Sequence, residues 1–306
     1  MSTESRPAPP SRELPETSWE HYELYQNVRE AIATLPVYFR TETHISGVMA
    51  TDLHTLNTVL GATIEEQVVR TLNLIRATWD PEGRYALYSF VRQPQTFPDV
   101  RLKRVSGDET LIGLELKGWY LLAKEAEPSL RFQVTPAACA KQDLIVVVPW
   151  VLGNVISGSP MLFEPFVESA CFAAEYRNYH WQRVRRTAQD SSIEAPANAR
   201  PYPSKADQIS DKPRSDSGGN FGRLARTGMM DEYMLKLNDV SLCGIKTVFW
   251  REFLKAFQES ATDADARAAL ERLRRRVVET SDLPAPRSQA ALAIVAELER
   301  LLEFSS

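Results

Sequence analysis

The sequence predicts an α/β fold in which a central mixed β-sheet is flanked by helices. Three observations predict this class. Apolar residues recur at helical spacing in the first quarter of the chain, three aromatic and branched segments separated by Pro- or Gly-containing turns follow, and a continuous apolar run comes next. The order helix, three strands, connection, strand and helix is typical of a sheet covered by helices.

Two helical segments precede the strands. We expect one helix over 19–35, ended by Pro36, because a proline interrupts the backbone hydrogen bonding of a helix. Over 52–78 we expect one longer helix or two short ones broken near Gly61. A core-facing apolar stripe marks this second segment: Ile64, Val68, Leu72 and Ile75.

The strand segments are short and rich in branched and aromatic residues. We expect strands over 85–91, 100–105 and 110–119. The run DLIVVVPWV at 143–151 predicts a strand buried on both faces. A helix is expected to follow over 163–186, and further helices are expected from Ile245 to form a helical carboxy-terminal extension.

The composition of the chain divides it into four regions. Residues 1–17 are rich in Pro, Ser and Glu and predict a flexible tail, and residues 18–186 predict the core. Residues 187–220 carry no periodicity and predict a long loop. Residues 221–306 predict a helical region that packs on the core or forms a small subdomain.

Charge and cysteine content limit the possible functions. The net charge is −4, so affinity for nucleic acid must come from local basic patches. Three cysteines lie far apart and outside any CxxC motif, which argues against a disulfide framework and a structural zinc site. With neither a secretory signal nor a 20-residue apolar stretch in the sequence, we expect a cytoplasmic protein without a membrane partner.

Two of the predicted strands carry charged residues in a region otherwise patterned for burial. In LIGLELKGW at 111–119, alternation places Glu115 and Lys117 on one face and Leu114 and Leu116 on the other. The preceding segment, FPDVRL at 97–102, supplies Asp99. We therefore expect two carboxylates and one ammonium to meet where neighbouring strands lie side by side.

This combination of groups suits hydrolysis of a phosphodiester with a divalent cation. Asp99 and Glu115 supply the hard oxygen ligands that Mg²⁺ prefers, and the carbonyl group of Leu116 is a further candidate ligand. A metal in such a site polarises the phosphate and lowers the pKa of a bound water. Lys117 can orient or help to deprotonate that water and offset negative charge.

Pro98-Asp99, fifteen intervening residues and Glu115-Leu116-Lys117 form an arrangement that resembles the PD-(D/E)xK nuclease superfamily, which includes most type II restriction endonucleases. The resemblance covers roughly residues 55–185. It implies a restriction-endonuclease-like core, with Asp99 and Glu115 as the metal-binding acids and Lys117 as the catalytic lysine. The superfamily core also places a helix between its third and fourth strands, where Pro128 and Pro136 leave little room for one here.

Many superfamily members carry another glutamate on the helix before the strands. Glu65 is the candidate, because it shares the apolar face of the predicted helix with Val68 and Leu72, whereas Glu66 shares a face with Arg70. We therefore take Glu65 as an additional candidate metal ligand.

A basic segment follows the predicted core. Residues 177–226 contain ten Arg and Lys against five acids, in a chain whose net charge is negative. Such a segment can neutralise DNA phosphates, although a solvated helix end and a loop would show the same composition. The candidate DNA-binding residues are Arg177, His180, Arg183, Arg185, Arg186 and Arg223.

The resemblance implies a type II restriction endonuclease that hydrolyses double-stranded DNA with Mg²⁺, for which Mn²⁺ can substitute. It also implies a homodimer, since both strands are cut with two-fold symmetry, and a cognate DNA methyltransferase acting on the same site. One alternative is a nuclease of the same superfamily that serves repair, junction resolution or phage defence. Another is a non-catalytic DNA-binding protein whose acid–lysine cluster is structural.

Overall fold

Four helices precede the sheet in the computed structural model, which describes residues 8–47, 56–93, 95–123, 125–128, 130–256, 262–279, 289 and 291–296. Part of the predicted 52–78 segment and the end of the chain lie outside these residues. The helices are α1 (Tyr22–Ala33), α2 (Leu35–Tyr38), α3 (Leu56–Leu74) and α4 (Arg76–Trp79). Pro36 was predicted to end the first helix. Instead α1 ends earlier, at Ala33, and Pro36 lies in the first turn of α2, where a missing N–H breaks no helical hydrogen bond.

Six strands form the central sheet: β1 (Tyr88–Arg92), β2 (Val100–Arg104), β3 (Thr110–Tyr120), β4 (Leu144–Leu152), β5 (Pro160–Leu162) and β6 (Phe166–Ser169). The first three form an antiparallel meander, and β4 runs parallel to β3. The other edge of β4 pairs with β5 near its end and with β6 near its start, both antiparallel. The predicted α/β class with a mixed sheet flanked by helices is confirmed at this level.

Helix α3 packs against β1 and β3. The side-chain amide of Asn73 exchanges two hydrogen bonds of 2.9 Å with the backbone of Phe90, which closes the free edge of β1. Of the two alternatives for this segment, the described residues show the continuous helix, since α3 runs straight through Gly61. Gly61 faces Gly118 on β3: a Cβ atom at Gly118 would lie 3.7 Å from the Gly61 Cα, which is ordinary van der Waals contact.

The connection from β3 to the parallel strand β4 contains only a short 3-10 turn, Pro136–Ala138, among the described residues between 121 and 143. Parallel neighbours usually need a helical crossover. Here the two prolines of the connection prevent a regular helix, and buried side chains such as Leu122 and Phe132 anchor the irregular chain on the core instead.

The predicted helix over 163–186 was wrong in its first part. Residues Phe166–Ser169 form β6, and α5 (Ala170–Tyr179) begins only afterwards. Ser169 marks the boundary, because its hydroxyl accepts a 3.3 Å hydrogen bond from the Phe172 N–H and so caps the helix. A π-helical turn, His180–Val184, continues α5.

The remaining elements are short. They are β7 (Ile193–Glu194), β8 (Lys212–Pro213), a 3-10 turn (Leu224–Thr227), α6 (Asp231–Asn238), β9 (Ser241–Leu242), β10 (Ile245–Lys246), α7 (Thr247–Leu254) and α8 (Asp263–Glu279). The predicted long loop therefore contains one minimal hairpin, β7–β8. Buried residues of α7 and α8 belong to the same apolar core as the sheet. Among the described helices, none combines the length and apolar character needed to cross a membrane.

Candidate metal centre

Asp99, Glu115 and Lys117 meet at the start of β2. Val100 pairs with Leu114, so Asp99 and Glu115 lie next to each other on adjacent strands. The Lys117 Nζ lies 3.1 Å from an Asp99 carboxylate oxygen and 3.2 Å from a Glu115 carboxylate oxygen. The backbone N–H of Asp99 also donates a 3.3 Å hydrogen bond to Glu115. One ammonium therefore bridges two carboxylates.

Burial dominates the electrostatics of this cluster. Glu115 is only 8% exposed, and desolvation, followed by the neighbouring Asp99 carboxylate, raises its pKa well above the ordinary value. Burial lowers the pKa of the Lys117 ammonium, but the charges of Glu115 and Asp99 outweigh this effect and the net pKa is raised. Lys117 is thus held in its charged form.

Glu65 lies on α3 within electrostatic range of the same cluster. Burial and the Asp99 carboxylate raise its pKa, and its carboxylate lies 3.8 Å from the guanidinium of Arg92. By contrast, the Glu66 carboxylate is half exposed and pairs with Arg70 at 3.6 Å. Of the two neighbouring glutamates, Glu65 is the one directed toward the candidate centre.

The donor set fits Mg²⁺ through Asp99 and Glu115. Burial and, after it, the Asp99 carboxylate raise the pKa of Glu115, and a cation held between the two carboxylates would relieve their repulsion. In the described part of the chain no three acidic, histidine or cysteine side chains are grouped closely enough to hold an ion by themselves. A Mg²⁺ held by two carboxylates takes its other ligands from water and phosphate. Leu116 lies between Glu115 and Lys117, with its side chain buried.

A buried aspartate that the sequence analysis did not identify adjoins the centre. Asp143 is fully buried immediately before β4, and its carboxylate accepts 2.8 Å hydrogen bonds from the N–H groups of Gly113 and Ala140. Gly113 lies two residues before Glu115 on β3. A Cβ atom at Gly113 would lie 2.4 Å from a Pro98 ring carbon and 2.6 Å from the Asp143 carboxylate, so only glycine fits.

The long loop contacts this part of the sheet through Tyr202. Its hydroxyl donates a 3.0 Å hydrogen bond to Asp143. Arg101 is the residue of β2 that lies opposite Gly113 of β3. Its guanidinium lies 5.3 Å from the centre of the Tyr202 ring and donates a 3.2 Å hydrogen bond to the Pro203 carbonyl. Asp143 could have been identified from the sequence, because an acid directly before a buried strand needs hydrogen-bond partners. The residues around Tyr202 form no sequence pattern that would predict its contact with Asp143.

Arg177 differs from the other candidate DNA-binding residues because it is buried. Its guanidinium donates to the carbonyl groups of Phe132 and Val134 at 2.7 and 3.0 Å and pairs with Asp211 at 2.5 Å. These contacts occupy its donors, so the structure places Arg177 in the core and not on a DNA-facing surface. Arg223 also has partners, since its guanidinium lies 3.4 Å from Glu125 and 3.8 Å from Glu127.

The other candidates lie on the π-helical turn or directly after it. Arg183 and Arg186 are exposed, and neither forms an ion pair with an acid in the described ranges. The Arg185 guanidinium stacks on Trp181, 3.3 Å from the ring centre. Burial and the charge of Arg185 lower the pKa of His180, which favours its neutral form. Arg183 and Arg186 therefore keep their charges open to a phosphate.

The chain was compared with protein-family models, with curated proteins and with solved structures. No family model, no curated protein and no solved structure matched it. Its function therefore has to be inferred from the geometry and chemistry of its own residues.

Proposed function

We propose that this protein is a Mg²⁺-dependent nuclease of the PD-(D/E)xK type that hydrolyses double-stranded DNA. The convergence of Asp99, Glu115 and Lys117 within 3.2 Å carries this proposal. Two carboxylates and a charged lysine on neighbouring strands are groups suited to metal-assisted cleavage of a phosphodiester. Mn²⁺ is expected to substitute for Mg²⁺, because it prefers similar oxygen ligands.

Each residue has a separate task in this proposal. Asp99 and Glu115 would hold the ion, and the hydrogen bond from the Asp99 backbone N–H ties the Glu115 carboxylate to the chain beside Asp99. Held by these two residues, Mg²⁺ would supply a Lewis acid for the phosphate and a bound water of lowered pKa. Lys117 retains its proton at neutral pH, so it would orient the attacking water and offset negative charge on the phosphate instead of acting as the base.

The order of elements supports the same proposal. A helix, an antiparallel three-stranded meander carrying the charged residues and a fourth strand parallel to the third follow the arrangement implied by the resemblance. The connection between β3 and β4 departs from it, because the described residues there form only a 3-10 turn. Asp99, Glu115 and Lys117 themselves lie outside this connection.

A type II restriction endonuclease is our proposal within this class. Such an enzyme would cut both strands as a homodimer and act alongside a DNA methyltransferase that protects the same site. A nuclease of repair, resolution or phage defence would use the same centre without strict sequence recognition. The exposed Arg183 and Arg186 are the residues we expect to contact phosphates.

Digestion of plasmid DNA by matched lysine variants tests the proposal. Lys117→Ala should abolish cleavage in Mg²⁺, since it removes the ammonium at the centre. Lys103→Ala is the control: Lys103 also lies on a strand and pairs with an aspartate, at 2.7 Å, but on the far part of β2. Equal activity of Lys117→Ala and wild type would show that the cluster is structural.

The pattern of the digest distinguishes the two nuclease roles. A type II enzyme gives discrete fragments whose mapped ends share one sequence. A smear of fragments with unrelated ends would assign the protein to the class without strict sequence recognition, and would overturn the restriction-enzyme proposal while leaving the nuclease centre in place.

A further inference from the structure

We propose that Tyr202, which lies in the long loop, is a positioning residue for the metal centre. This inference rests on the proposed nuclease function. Tyr202 is distant from both acids in the sequence, yet it contacts Arg101 on β2 directly and is linked to β3 through Asp143, which bonds the Gly113 N–H. Its role would be to hold these two strands in the alignment that brings Asp99 and Glu115 together.

The first contact acts on β3 through Asp143. The Tyr202 hydroxyl donates to the same carboxylate oxygen of Asp143 that accepts the Gly113 N–H. The Tyr202 hydroxyl in turn accepts a 3.2 Å hydrogen bond from the side-chain amide of Gln142. Asp143 thereby fixes the backbone of Gly113 at the head of the β3–β4 pair, two residues before Glu115.

The second contact acts on β2 through Arg101. This residue lies two positions after Asp99, so strand alternation places it on the same face. Its guanidinium lies against the Tyr202 ring and bonds the carbonyl groups of Phe97 and Pro203, at 3.4 and 3.2 Å. The Arg101 Nε is buried without a hydrogen-bond partner, so its place depends on these neighbours.

The backbone of Tyr202 indicates that its position is imposed by these contacts. Its φ of +54° lies in the left-handed region, which costs a non-glycine residue about 1 kcal/mol or more. The surrounding contacts must compensate for this cost. Because the contacts reach Arg101, two residues after Asp99, and through Asp143 reach Gly113, two residues before Glu115, displacement of Tyr202 would alter the separation of the two acids.

Binding of Mn²⁺ to the full-length protein, followed by electron paramagnetic resonance, provides the test. Tyr202→Phe removes only the hydroxyl group and keeps the ring over Arg101. Loss of a partner that orients metal ligands typically weakens metal affinity about 10- to 100-fold, and we expect a decrease at the lower end of this range. In parallel, kcat for DNA cleavage should fall while KM for DNA stays the same.

Tyr120→Phe is the matched control. Tyr120 is a buried tyrosine on β3 itself, and its hydroxyl donates to the Val155 carbonyl at 3.4 Å, away from Asp143. This variant should bind Mn²⁺ as the wild type does. If Tyr202→Phe fails to give the wild-type circular dichroism spectrum, Arg101→Lys takes its place, since it keeps the charge and loses the planar stacking on Tyr202.

The outcomes separate the two levels of the inference. Wild-type protein that neither binds Mn²⁺ nor cleaves DNA would overturn the nuclease proposal and this inference together. Wild-type protein that does both, with Tyr202→Phe unchanged in Mn²⁺ affinity and kcat, would overturn the positioning role alone. Misfolding of both Tyr202→Phe and Arg101→Lys would assign these contacts to the stability of the whole fold and would also overturn it.

Discussion

Glu115 bears the largest electrostatic cost in the candidate centre. Its carboxyl group is almost fully buried beside a second carboxylate, and only one ammonium balances the two. Binding sites often keep such unfavourable groups because function needs them, at the expense of stability. The cost should therefore be measurable as a dependence of folding stability on pH.

Replacement of Glu115 by glutamine should stabilise the metal-free protein at high pH. The folded-state pKa of Glu115 is raised above the ordinary value of 4.5, so the folded protein binds this proton more tightly than the unfolded chain does. Wild-type stability is then fully present below pH 4.5 and is lost as pH rises through the folded-state pKa. The loss is about 1.4 kcal/mol per unit of pKa shift.

Urea unfolding at a series of pH values in chelator measures this effect. The difference in unfolding free energy between Glu115→Gln and wild type should increase in favour of the variant as pH rises above 4.5. Glu66→Gln on the exposed side of α3 is the control and should show no such trend. A difference that stays constant with pH would contradict the account of a buried, proton-binding Glu115.

At the scale of elements, the residues before β2 and before β4 lie so close to Gly113 on β3 that no side chain fits there. A methyl group there would overlap the ring of Pro98 and the carboxylate of Asp143. Gly113→Ala should therefore destabilise the protein by about 1–3 kcal/mol, the usual cost of overpacking. It should also reduce cleavage, because Asp143 and the strand carrying Glu115 must shift.

Gly107 offers a matched control in the turn between β2 and β3. A Cβ atom at Gly107 would meet no atom within 4 Å. Chemical denaturation of Gly107→Ala should thus give a free energy of unfolding close to that of wild type. Equal stability of the two alanine variants would show that the close contact at Gly113 relaxes without cost.

Strand periodicity was enough to predict which side chains of β3 share a face. Alternation over 111–119 placed Glu115 and Lys117 together, and the observed contact of 3.2 Å between them agrees. The boundary between β6 and α5 could not be predicted in the same way. Phe166 and Val167 fit either a helix or a strand, and the pairing with β4 that decides between them is a tertiary contact.

The contacts around Asp143 were also beyond local sequence patterns. Tyr202 meets Asp143 across 59 residues of chain, and no periodicity links a loop to a strand over such a distance. The same limit applies to Arg177. A count of basic residues over 177–226 gives the charge of the segment but not which arginines are buried.

At the scale of the whole molecule, Arg177 and Asp211 tie the long loop to the core. Both side chains are almost completely buried, and the Arg177 guanidinium also bonds the connection between β3 and β4 through two carbonyl groups. Removal of one partner from a buried ion pair leaves the other charge without compensation, which costs about 3–5 kcal/mol. Arg177→Met should therefore destabilise the fold by this amount.

Arg186→Met is the comparison, because Arg186 is exposed. Its stability in urea should stay within about 0.5 kcal/mol of wild type. DNA affinity, measured in Ca²⁺ to prevent cleavage, should instead fall and become less dependent on salt, with a slope smaller by about one. If Arg177→Met were as stable as the wild type but bound DNA more weakly, the structural role would be contradicted and Arg177 would be a DNA-binding residue.

Cleavage of supercoiled plasmid DNA by the wild type and Asp99→Asn, each with Mg²⁺ and with excess chelator, tests the central claim most directly. Asp99→Asn keeps the size of the side chain but removes one of the two charges proposed to hold the ion. We expect wild-type cleavage in Mg²⁺, none in chelator, recovery when Mg²⁺ is restored, and at least a 100-fold slower reaction of Asp99→Asn, about the effect of losing one essential charge-stabilising group. Wild-type cleavage that persists in excess chelator, or an Asp99→Asn protein as active as the wild type, would contradict the proposed metal centre.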